Sequence, residues 1–402
     1  MGMMHRRTLL AGAAALATAR KLSANDRPTY GVIGTGGRGR YLNRNFQKLG
    51  AQCLALCDVY DLHLAAAAKD APEAKTYLAH EDLLAQPGLD FVVLAAPDHW
   101  HWPHLADALK AGKDVYTEKP LSKSLEESLK MVDAVRQSGK IVQVGMQRRS
   151  ADVILKAKKL VDDGALGMIT TVKAQWNWNV ARPLDNSPLP GKLDWDRFLG
   201  RAPKRPLEPR RFRNWRLFWD YAGGNMTDQG THLMDVVQWF TGAGAPRSAV
   251  CQGYVAKTTG AEAPEVFSAV FDYGGFIATW SLNYCNDYED DWSILFMGDK
   301  GTLRLDDAGF KFWPEPWNKQ PGPSMEEKAP VPIEPHLQNF LDCLSSRRQP
   351  NCTVDIAARA VAGPHLANVA FFKHKEARLG PDLLPSGDDD RERNKQQQQS
   401  GD

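Results

Sequence analysis

A glycine-rich turn near the amino terminus constrains the fold of this chain more than any other feature. The apolar run at residues 30–33 leads into Gly34-Thr35-Gly36-Gly37-Arg38-Gly39, and residues 41–49 follow with helical character. A G-x-G-x-x-G turn between a strand and a helix opens a doubly wound parallel sheet. Further apolar runs alternate with helix-length segments, as such a sheet requires, at residues 52–57, 91–95, 114–116 and 141–144.

The second half of the chain has a different sequence pattern, in which longer strand-like segments are joined by turns that contain glycine. This pattern predicts a large, mostly antiparallel open sheet, with strands at residues 169–178, 247–256, 266–272, 276–284, 292–297 and 302–305. Residues 333–345 and 354–372 read as helices that could pack back on the first domain. The predicted class is therefore α/β, with domains at 27–148 and 149–383 and a polar, disordered tail at 384–402.

Composition narrows the range of partners. Lys and Arg number 50 against 48 Asp and Glu, a net charge of +2, so a nucleic-acid partner is not expected. The six cysteines among 402 residues are too sparse for a disulfide scaffold and are predicted to be free.

The first 24 residues have the pattern of an export signal. Arg6-Arg7 precedes a weakly apolar Ala/Leu run that is too short to span a bilayer, and small residues follow at 17–19 and 22–24. The arginine pair resembles a twin-arginine signal, used by proteins that fold around a cofactor before export. The sequence therefore predicts a periplasmic protein without a stable membrane anchor; a frayed basic N-terminus is the alternative.

The glycine turn also predicts a dinucleotide site in a Rossmann domain. Gly34 permits the tight turn, Gly36 lets the backbone approach a pyrophosphate, and Gly39 brings the helix close to the strand. Asp58 ends the next strand, nineteen residues beyond Gly39, where a carboxylate can accept both ribose hydroxyls of NAD. NAD is favoured, and Arg38 and Arg40 leave NADP open.

A histidine-rich segment follows the third predicted strand. Its residues, Pro97-Asp98-His99-Trp100-His101, should lie over the ligand crevice at the carboxyl edge of the sheet. A metal site built from His99, His101 and His104 is the alternative to a cofactor contact. No cysteine or carboxylate cluster completes such a site, so no metal is predicted.

Two further segments carry residues suited to proton transfer. Glu118-Lys119-Pro120 ends a strand, and a lysine there could stabilise an alkoxide. Asp228 and His232, in the segment that begins at Gly223-Gly224, are four residues apart. On one helix they would share a face, and the carboxylate could orient a protonated imidazole.

Together these motifs resemble the Gfo/Idh/MocA (glucose–fructose oxidoreductase/inositol dehydrogenase) family over residues 27–383. The resemblance implies Lys119, Asp228 and His232 as the catalytic group. It also implies a substrate site on one face of the second sheet and an oligomer contact on the other. The implied cofactor contacts, taken with those of the glycine turn, are Gly34, Gly36, Gly37, Arg38, Gly39, Asp58, Pro97, Asp98, His101, Glu118, Lys119 and Gln147. Asp98 stands where the family motif usually has Asn.

The substrate is predicted to be a small carbohydrate or polyol. Ten of the twelve tryptophans fall between Trp176 and Trp317, and aromatic faces pack well against sugar rings. Most of them are equally suited to packing within a sheet. The candidate substrate contacts are Arg148, Arg213, Trp215 and Tyr221.

These features favour an NAD(P)-dependent oxidoreductase that acts on a sugar, polyol or derivative through a tightly bound cofactor. Two alternatives are glycoside cleavage through transient oxidation by bound NAD, and a cofactor-binding protein without chemistry. The family resemblance associates the lysine motif with the dehydrogenases rather than the glycosidases.

Overall fold

The structure is a computed structural model that describes residues 27–386. The predicted signal sequence and residues 387–402 of the predicted tail lie outside the described residues. Within the described range, no helix combines the length and the apolar character needed to cross a membrane. All six cysteines are free, as predicted, and five of them are buried.

The first domain is a six-stranded parallel sheet with helices on both faces, and it confirms the predicted doubly wound fold. The strand order is β3-β2-β1-β4-β5-β6. Its elements are β1 (Thr29–Ile33), α1 (Gly37–Lys48), β2 (Gln52–Cys57), α2 (Asp61–Asp70), β3 (Lys75–Tyr77), α3 (His80–Ala85), β4 (Phe91–Leu94), α4 (His101–Lys110), β5 (Asp114–Thr117), α5 (Leu125–Ser138) and β6 (Val142–Val144). The short edge strand β3 was not predicted, because three half-polar residues carry no hydrophobic pattern.

The second domain contains the large sheet and the helices that cover it. Its elements are α6 (Asp152–Asp162), β7 (Ile169–Asn177), α7 (Trp195–Leu199), α8 (Pro209–Arg213), α9 (Gly224–Asp228), α10 (Gly230–Thr241), β8 (Ser248–Tyr254), β9 (Val266–Asp272), β10 (Ile277–Asn283), β11 (Asp291–Gly298), β12 (Gly301–Asp306), β13 (Gly309–Pro314), β14 (Met325–Lys328), α11 (Glu334–Ser346), α12 (Val354–Lys373) and β15 (Ala377–Arg378). Single 3-10 turns lie at Asp98–Trp100, Gln147–Ser150, Trp215–Leu217 and Trp317–Lys319.

The nine strands of this sheet have the order β14-β13-β12-β11-β7-β10-β9-β8-β15. All neighbours are antiparallel except β7 and β10, so the predicted mostly antiparallel sheet is confirmed. Strand β7 lies between β10 and β11, which run in opposite directions, so one of its two neighbours must be parallel to it. Strands β13 to β15 were not predicted.

One face of this sheet is buried and the other is open. Along β9 the side chains of Phe267, Ala269 and Phe271 are buried, whereas those of Ser268 and Val270 are exposed. This alternation of period two places the apolar face against the helices.

Helices α11 and α12 pack back on the first domain, as predicted. Phe340 of α11 lies 5.2 Å from Phe91 of β4 and 6.2 Å from Phe46 of α1, measured between ring centroids. Val354 and Val361 of α12 join the core on the opposite face of the parallel sheet. Helices α11 and α12 therefore complete the hydrophobic cores on the two faces of the parallel sheet.

The last described residues belong to the fold. Ser386 N donates to Arg378 O (2.8 Å), and Gly380 N donates to Leu384 O (2.7 Å). Residues 384–386 were expected in the disordered tail, but main-chain hydrogen bonds to the β15 region hold them in a closed turn.

Candidate active site

The glycine turn has the close contacts that its sequence predicted. Gly34 has a φ of +89°, which favours glycine. A Cβ at Gly39 would lie 1.9 Å from Gly34 O, so helix α1 can start this close to the turn only with glycine there. A Cβ at Gly37 would meet no atom within 4 Å, so this side of the glycine faces open space. The α1 N-terminus carries no side-chain cap, which leaves its N–H groups available to a phosphate.

A cavity of about 550 Å³ lies beside this turn. Gly34, Gly36, Gly37, Arg38 and Asp58 line one side of it, and Pro97 borders it at the end of β4. Its volume is within the range of about 300–1,000 Å³ that is usual for small-molecule sites. The turn, the uncapped helix and the cavity together fit a dinucleotide.

Asp58 lies on the cavity wall and also supports the turn. Its Oδ2 accepts from Thr35 N (2.7 Å), and its Oδ1 accepts from Tyr60 N (2.9 Å). A carboxylate has about four lone-pair sites, so it retains capacity for a ribose hydroxyl. The predicted position of Asp58 at the ribose end is therefore compatible with the geometry.

The two arginines that left NADP open are both paired. Arg38 Nη2 lies 2.9 Å from Glu118 Oε1, and Arg40 Nε donates to Asp70 (2.8 Å). Glu118, predicted as a cofactor contact, therefore holds the side chain of Arg38. Because each arginine already pairs with a carboxylate, neither is free to bind the 2′-phosphate of NADP.

Residues 181–222 of the second domain, here named the covering segment, roof the cavity. Tyr60 Oη donates to Pro190 O (2.5 Å), and Asp194 N donates to Val59 O (2.8 Å). Farther along the segment, Phe198 O accepts from Trp100 Nε1 (2.8 Å). These contacts join the covering segment to the ends of β2 and β4, so a ligand in the cavity would be enclosed between the domains.

His101 does not have the role that the sequence predicted. Its Nδ1 lies 2.7 Å from Pro120 O and its Nε2 lies 2.9 Å from Ala96 O. The predicted cofactor contact has no free ring nitrogen to make it, and His101 instead ties the β4 end to the β5 end. No group of three or more His, Cys, Asp or Glu residues within 27–386 is arranged to hold a metal ion.

Asp98 is buried and Gln147 is half-buried, and both carry buried side-chain oxygens without a partner. Within the described residues, neither carboxyl oxygen of Asp98 nor the Oε1 of Gln147 has a hydrogen-bond partner. Burial, and then the charge of Asp228, raise the pKa of Asp98 well above its usual value. Neither residue lines the cavity, so their predicted contact with the cofactor stays a prediction.

Lys119 and Asp228, which are 109 residues apart in the chain, form a buried ion pair. Lys119 Nζ donates to Asp228 Oδ1 (2.7 Å) and to the main-chain oxygen of the same residue (2.9 Å). Arg216 Nε donates to Oδ1 as well (3.0 Å). Burial alone would raise the pKa of Asp228, but these two cations hold it far below its usual value. Asp228 is therefore a permanent anion that fixes the ammonium of Lys119.

The predicted pairing of Asp228 with His232 is wrong. Asp228 ends α9 and His232 belongs to α10, because the helix is interrupted at Gln229. The Nδ1 of His232 has no partner among the described residues. Burial, followed by the charges of Arg148 and Lys119, lowers the pKa of His232 well below its usual value. The imidazole is therefore neutral, where the sequence predicted a protonated one.

The predicted substrate contacts lie in different surroundings, and only some of them reach the cavity. Tyr221 is fully buried in a cluster with Phe198 and Phe218 and does not line the cavity, so its predicted contact with the substrate stays a prediction. Arg213 stabilises the covering segment, because its Nη1 donates a hydrogen bond to Ser187 O (2.7 Å) within the same segment. Trp215 lines the cavity and lies under Arg216, with 4.1 Å between Cζ and the ring centroid.

The sequence missed Arg216, Trp176 and Trp292. Arg216 is one of four arginines in residues 210–216, and nothing in that run distinguishes the one that reaches Asp228. Trp176 and Trp292 are cross-strand partners on β7 and β11. Alternation along each strand predicts that they point inward, but not that the two strands are neighbours.

Comparison with known families identifies the chain. Residues 29–146 match the sequence model described as an oxidoreductase family with an NAD-binding Rossmann fold, and residues 154–304 match that of the GFO/IDH/MocA C-terminal domain. The chain belongs to the GFO/IDH/MocA oxidoreductase family. Its first domain is accordingly an NAD-binding Rossmann domain.

Individual relatives of this GFO/IDH/MocA protein match mainly in the first domain. It is 35% identical to an inositol 2-dehydrogenase of Corynebacterium glutamicum over 146 residues, which are 36% of this chain and 43% of the relative. It is 26% identical to an NADP⁺-dependent scyllo-inositol 2-dehydrogenase of Bacillus subtilis over 206 residues, 51% of this chain and 49% of the relative. The chain thus spans less than half the length of these relatives.

Solved structures of the same fold match over most of the chain. A levoglucosan dehydrogenase in complex with NADH and levoglucosan superposes with a TM-score of 0.69 at 18% identity, covering 88% of this chain and 99% of the other. The WlbA dehydrogenase from Bordetella pertussis, in complex with NADH and UDP-GlcNAcA, gives 0.69 at 22% identity, covering 88% and 98%. At these identities the likeness establishes the GFO/IDH/MocA fold alone.

Proposed function

We propose that this chain is an NAD(P)-dependent oxidoreductase that transfers a hydride between a hydroxyl of a sugar, polyol or sugar derivative and a tightly bound nicotinamide cofactor. The observation that carries the proposal is the buried Lys119–Asp228 pair (2.7 Å), at the end of β5, where ligands bind in doubly wound sheets. The relatives named as inositol and sugar dehydrogenases support the substrate class.

The proposed chemistry divides the roles between the two domains. A bound nicotinamide would accept the hydride from the carbon that carries the reacting hydroxyl. Neutral His232 takes the proton of that hydroxyl, because a base must be unprotonated. The ammonium of Lys119 stabilises the negative charge that develops on the oxygen. Asp228 is a positioning residue, since it acts through Lys119.

The function is tested by separating oxidation from glycoside cleavage. Purified protein is incubated with free sugars and inositols in one series and with aryl glycosides in another. We expect NAD⁺ reduction in the first series and no catalytic release of the aryl group in the second. Catalytic aryl release without net NADH formation would favour the cleavage mechanism. The absence of both NADH formation and aryl release would contradict both the oxidoreductase and the glycosidase.

We also propose that the protein is exported by the twin-arginine route and works in the periplasm with its cofactor bound. The export pattern of residues 1–24 motivates this, and the covering segment supports it, because contacts such as Asp194 N to Val59 O (2.8 Å) close the cavity from the second domain. An enzyme outside the cytoplasm has no large pool of free NAD to draw on. It must therefore keep the cofactor and reoxidise it in place.

Retained cofactor is expected in the purified protein. Extensively dialysed protein is denatured, and the supernatant is assayed for nicotinamide dinucleotide. We expect close to one dinucleotide per chain, because slow dissociation at an ordinary association rate of about 10⁵–10⁷ M⁻¹s⁻¹ requires affinity well below micromolar. Recovery of a cofactor-free protein that binds NAD weakly would contradict cofactor retention. Fractionation of the producing cells tests the location separately.

The open face of the large sheet is the proposed homo-oligomer contact. Val250, Val270 and Ile277 expose 45%, 39% and 51% of their surface on this face. Apolar side chains on an open sheet face suit burial against a second copy. Sedimentation of wild type and of a Val270→Lys/Ile277→Lys variant tests the contact, and a monomeric wild type would contradict it.

A further inference from the structure

Arg148 is held between two tryptophans where the chain passes from the first domain to the second. The residue is 5% exposed. Its Cζ lies 4.2 Å from the ring centroid of Trp292 and 5.6 Å from that of Trp176. Because the two tryptophans are cross-strand partners, both indoles reach the same inner face of the sheet. Stacking on these rings fixes the plane of the guanidinium.

The donors of this cluster lack acceptors. Among residues 27–386, Nε and Nη1 of Arg148 and Nε1 of Trp176 are buried without a hydrogen-bond partner. Burial lowers the pKa of Arg148 only to about 10, so the group stays cationic at neutral pH. A buried charge without a partner is unfavourable, and buried N–H groups are nearly always satisfied. An anionic acceptor would satisfy the cluster.

The neighbouring acids do not supply that acceptor. Asp235 is engaged by Arg149, whose Nε lies 2.8 Å from Oδ1 and 2.9 Å from Oδ2. Asp291 accepts from Trp292 N (2.9 Å). Neither acid forms an ion pair with Arg148 within the described part of the chain. Two adjacent arginines thus differ: Arg149 is neutralised in the fold, and Arg148 is not.

The cluster lies close to the proposed catalytic base. Arg148 belongs to the turn Gln147–Ser150, which packs against α10, the helix that carries His232. After burial, the charge of Arg148 is the largest influence that lowers the pKa of His232. The other cations that influence His232 already have partners, because Lys119 is bound to Asp228 and Arg38 is bound to Glu118. A single unpaired guanidinium with its planar pair of N–H donors suits a monoanionic carboxylate. A doubly charged phosphate would need more positive charge than this cluster has.

We propose that Arg148, with Trp176 and Trp292, binds a carboxylate carried by the substrate, so that the enzyme acts on a sugar acid. The inference rests on the proposed function, because it takes the substrate to bind beside His232. The guanidinium would receive the two carboxylate oxygens. The indole rings would pack against the C–H face of the sugar.

Matched pairs of sugars test this specificity by calorimetric titration of the NAD⁺-loaded full chain at constant ionic strength. The probes are D-glucuronate with D-glucose and D-galacturonate with D-galactose, which differ in having a carboxylate in place of a hydroxymethyl group. At least one uronate is expected to bind more than about tenfold tighter than its neutral partner. Arg148→Met should weaken that uronate by about 10- to 150-fold, the usual effect of losing a hydrogen bond to a charged group, and leave the neutral sugar unchanged.

The adjacent arginine provides the control for folding. Arg148→Met removes an unpaired buried charge, so its Tm should equal or exceed that of wild type. Arg149→Met leaves Asp235 buried without its partner and should lower Tm. Equal affinity for both members of each pair, no uronate binding, or a preference that survives in Arg148→Met would each overturn the carboxylate site.

This titration and the NAD⁺-reduction assay proposed above together separate this inference from the proposed function. Uronate binding without NAD⁺ reduction by any sugar would support the carboxylate site and contradict the oxidoreductase. Reduction of NAD⁺ by neutral sugars, with no preference for uronates in binding, would support the oxidoreductase and overturn the carboxylate site.

Discussion

Replacing Lys119 with alanine is expected to lower kcat by about 10²- to 10³-fold, the usual effect of losing a group that stabilises a developing oxyanion. The expectation rests on the contact between Lys119 Nζ and Asp228 Oδ1 (2.7 Å), which fixes the ammonium just beyond the carboxyl end of β5. The change removes stabilisation of charge in the transition state and little of the dinucleotide site. Steady-state kinetics and NAD titration of the same preparation measure both effects.

Lys123→Ala is the matched control, because it removes a lysine four residues away that has no contact with Asp228. It should keep wild-type kcat. Asp228→Asn should also lower kcat, since it leaves Lys119 and Arg216 without their counter-charge. If the pair acts as a unit, the double variant Lys119→Ala/Asp228→Asn will be no slower than the slower single variant. A Lys119→Ala enzyme with near-normal kcat would remove Lys119 from the mechanism.

The first domain could be predicted closely because its signals are local. The predicted strand at Gln52–Cys57 has the same bounds in the structure. The turn at Gly34–Gly39 predicts both the doubly wound fold and the position of the ligand site. The second domain was predicted where strands alternate strongly, as at Val266–Asp272. Strand β14 was not predicted, because its residues are largely charged and exposed and its sequence therefore shows no alternation of apolar and polar residues.

The site itself could be predicted as a set of residues but not as a set of contacts. Spacing suggested that Asp228 would orient His232, yet the helix break at Gln229 separates them and Lys119 takes the carboxylate. That contact joins residues more than a hundred positions apart, and spacing says nothing about such distances. Likewise, the path of the covering segment buries Tyr221 and brings Arg216 to the site.

The glycine turn gives the second large expected effect. A methyl group at Gly39 would lie 1.9 Å from Gly34 O, a main-chain atom that cannot rotate away, so Gly39→Ala must move α1 or open the turn. We expect turnover to fall by about 10²-fold, as a displacement of about 1 Å can cause, and the affinity for NAD to fall with it. Overpacking should also lower stability by about 1–3 kcal/mol.

Two other glycines separate the effect on binding from the effect on the fold. Gly37 lines the cavity, and a Cβ there would meet no atom within 4 Å, so Gly37→Ala should fold normally and weaken NAD binding through contact with the ligand alone. Gly244 also has no neighbour within 4 Å but does not line the cavity, so Gly244→Ala should change neither property. Thermal unfolding and NAD titration of the three variants distinguish these outcomes. Wild-type NAD affinity in both Gly39→Ala and Gly37→Ala would mean that the dinucleotide does not bind at this turn.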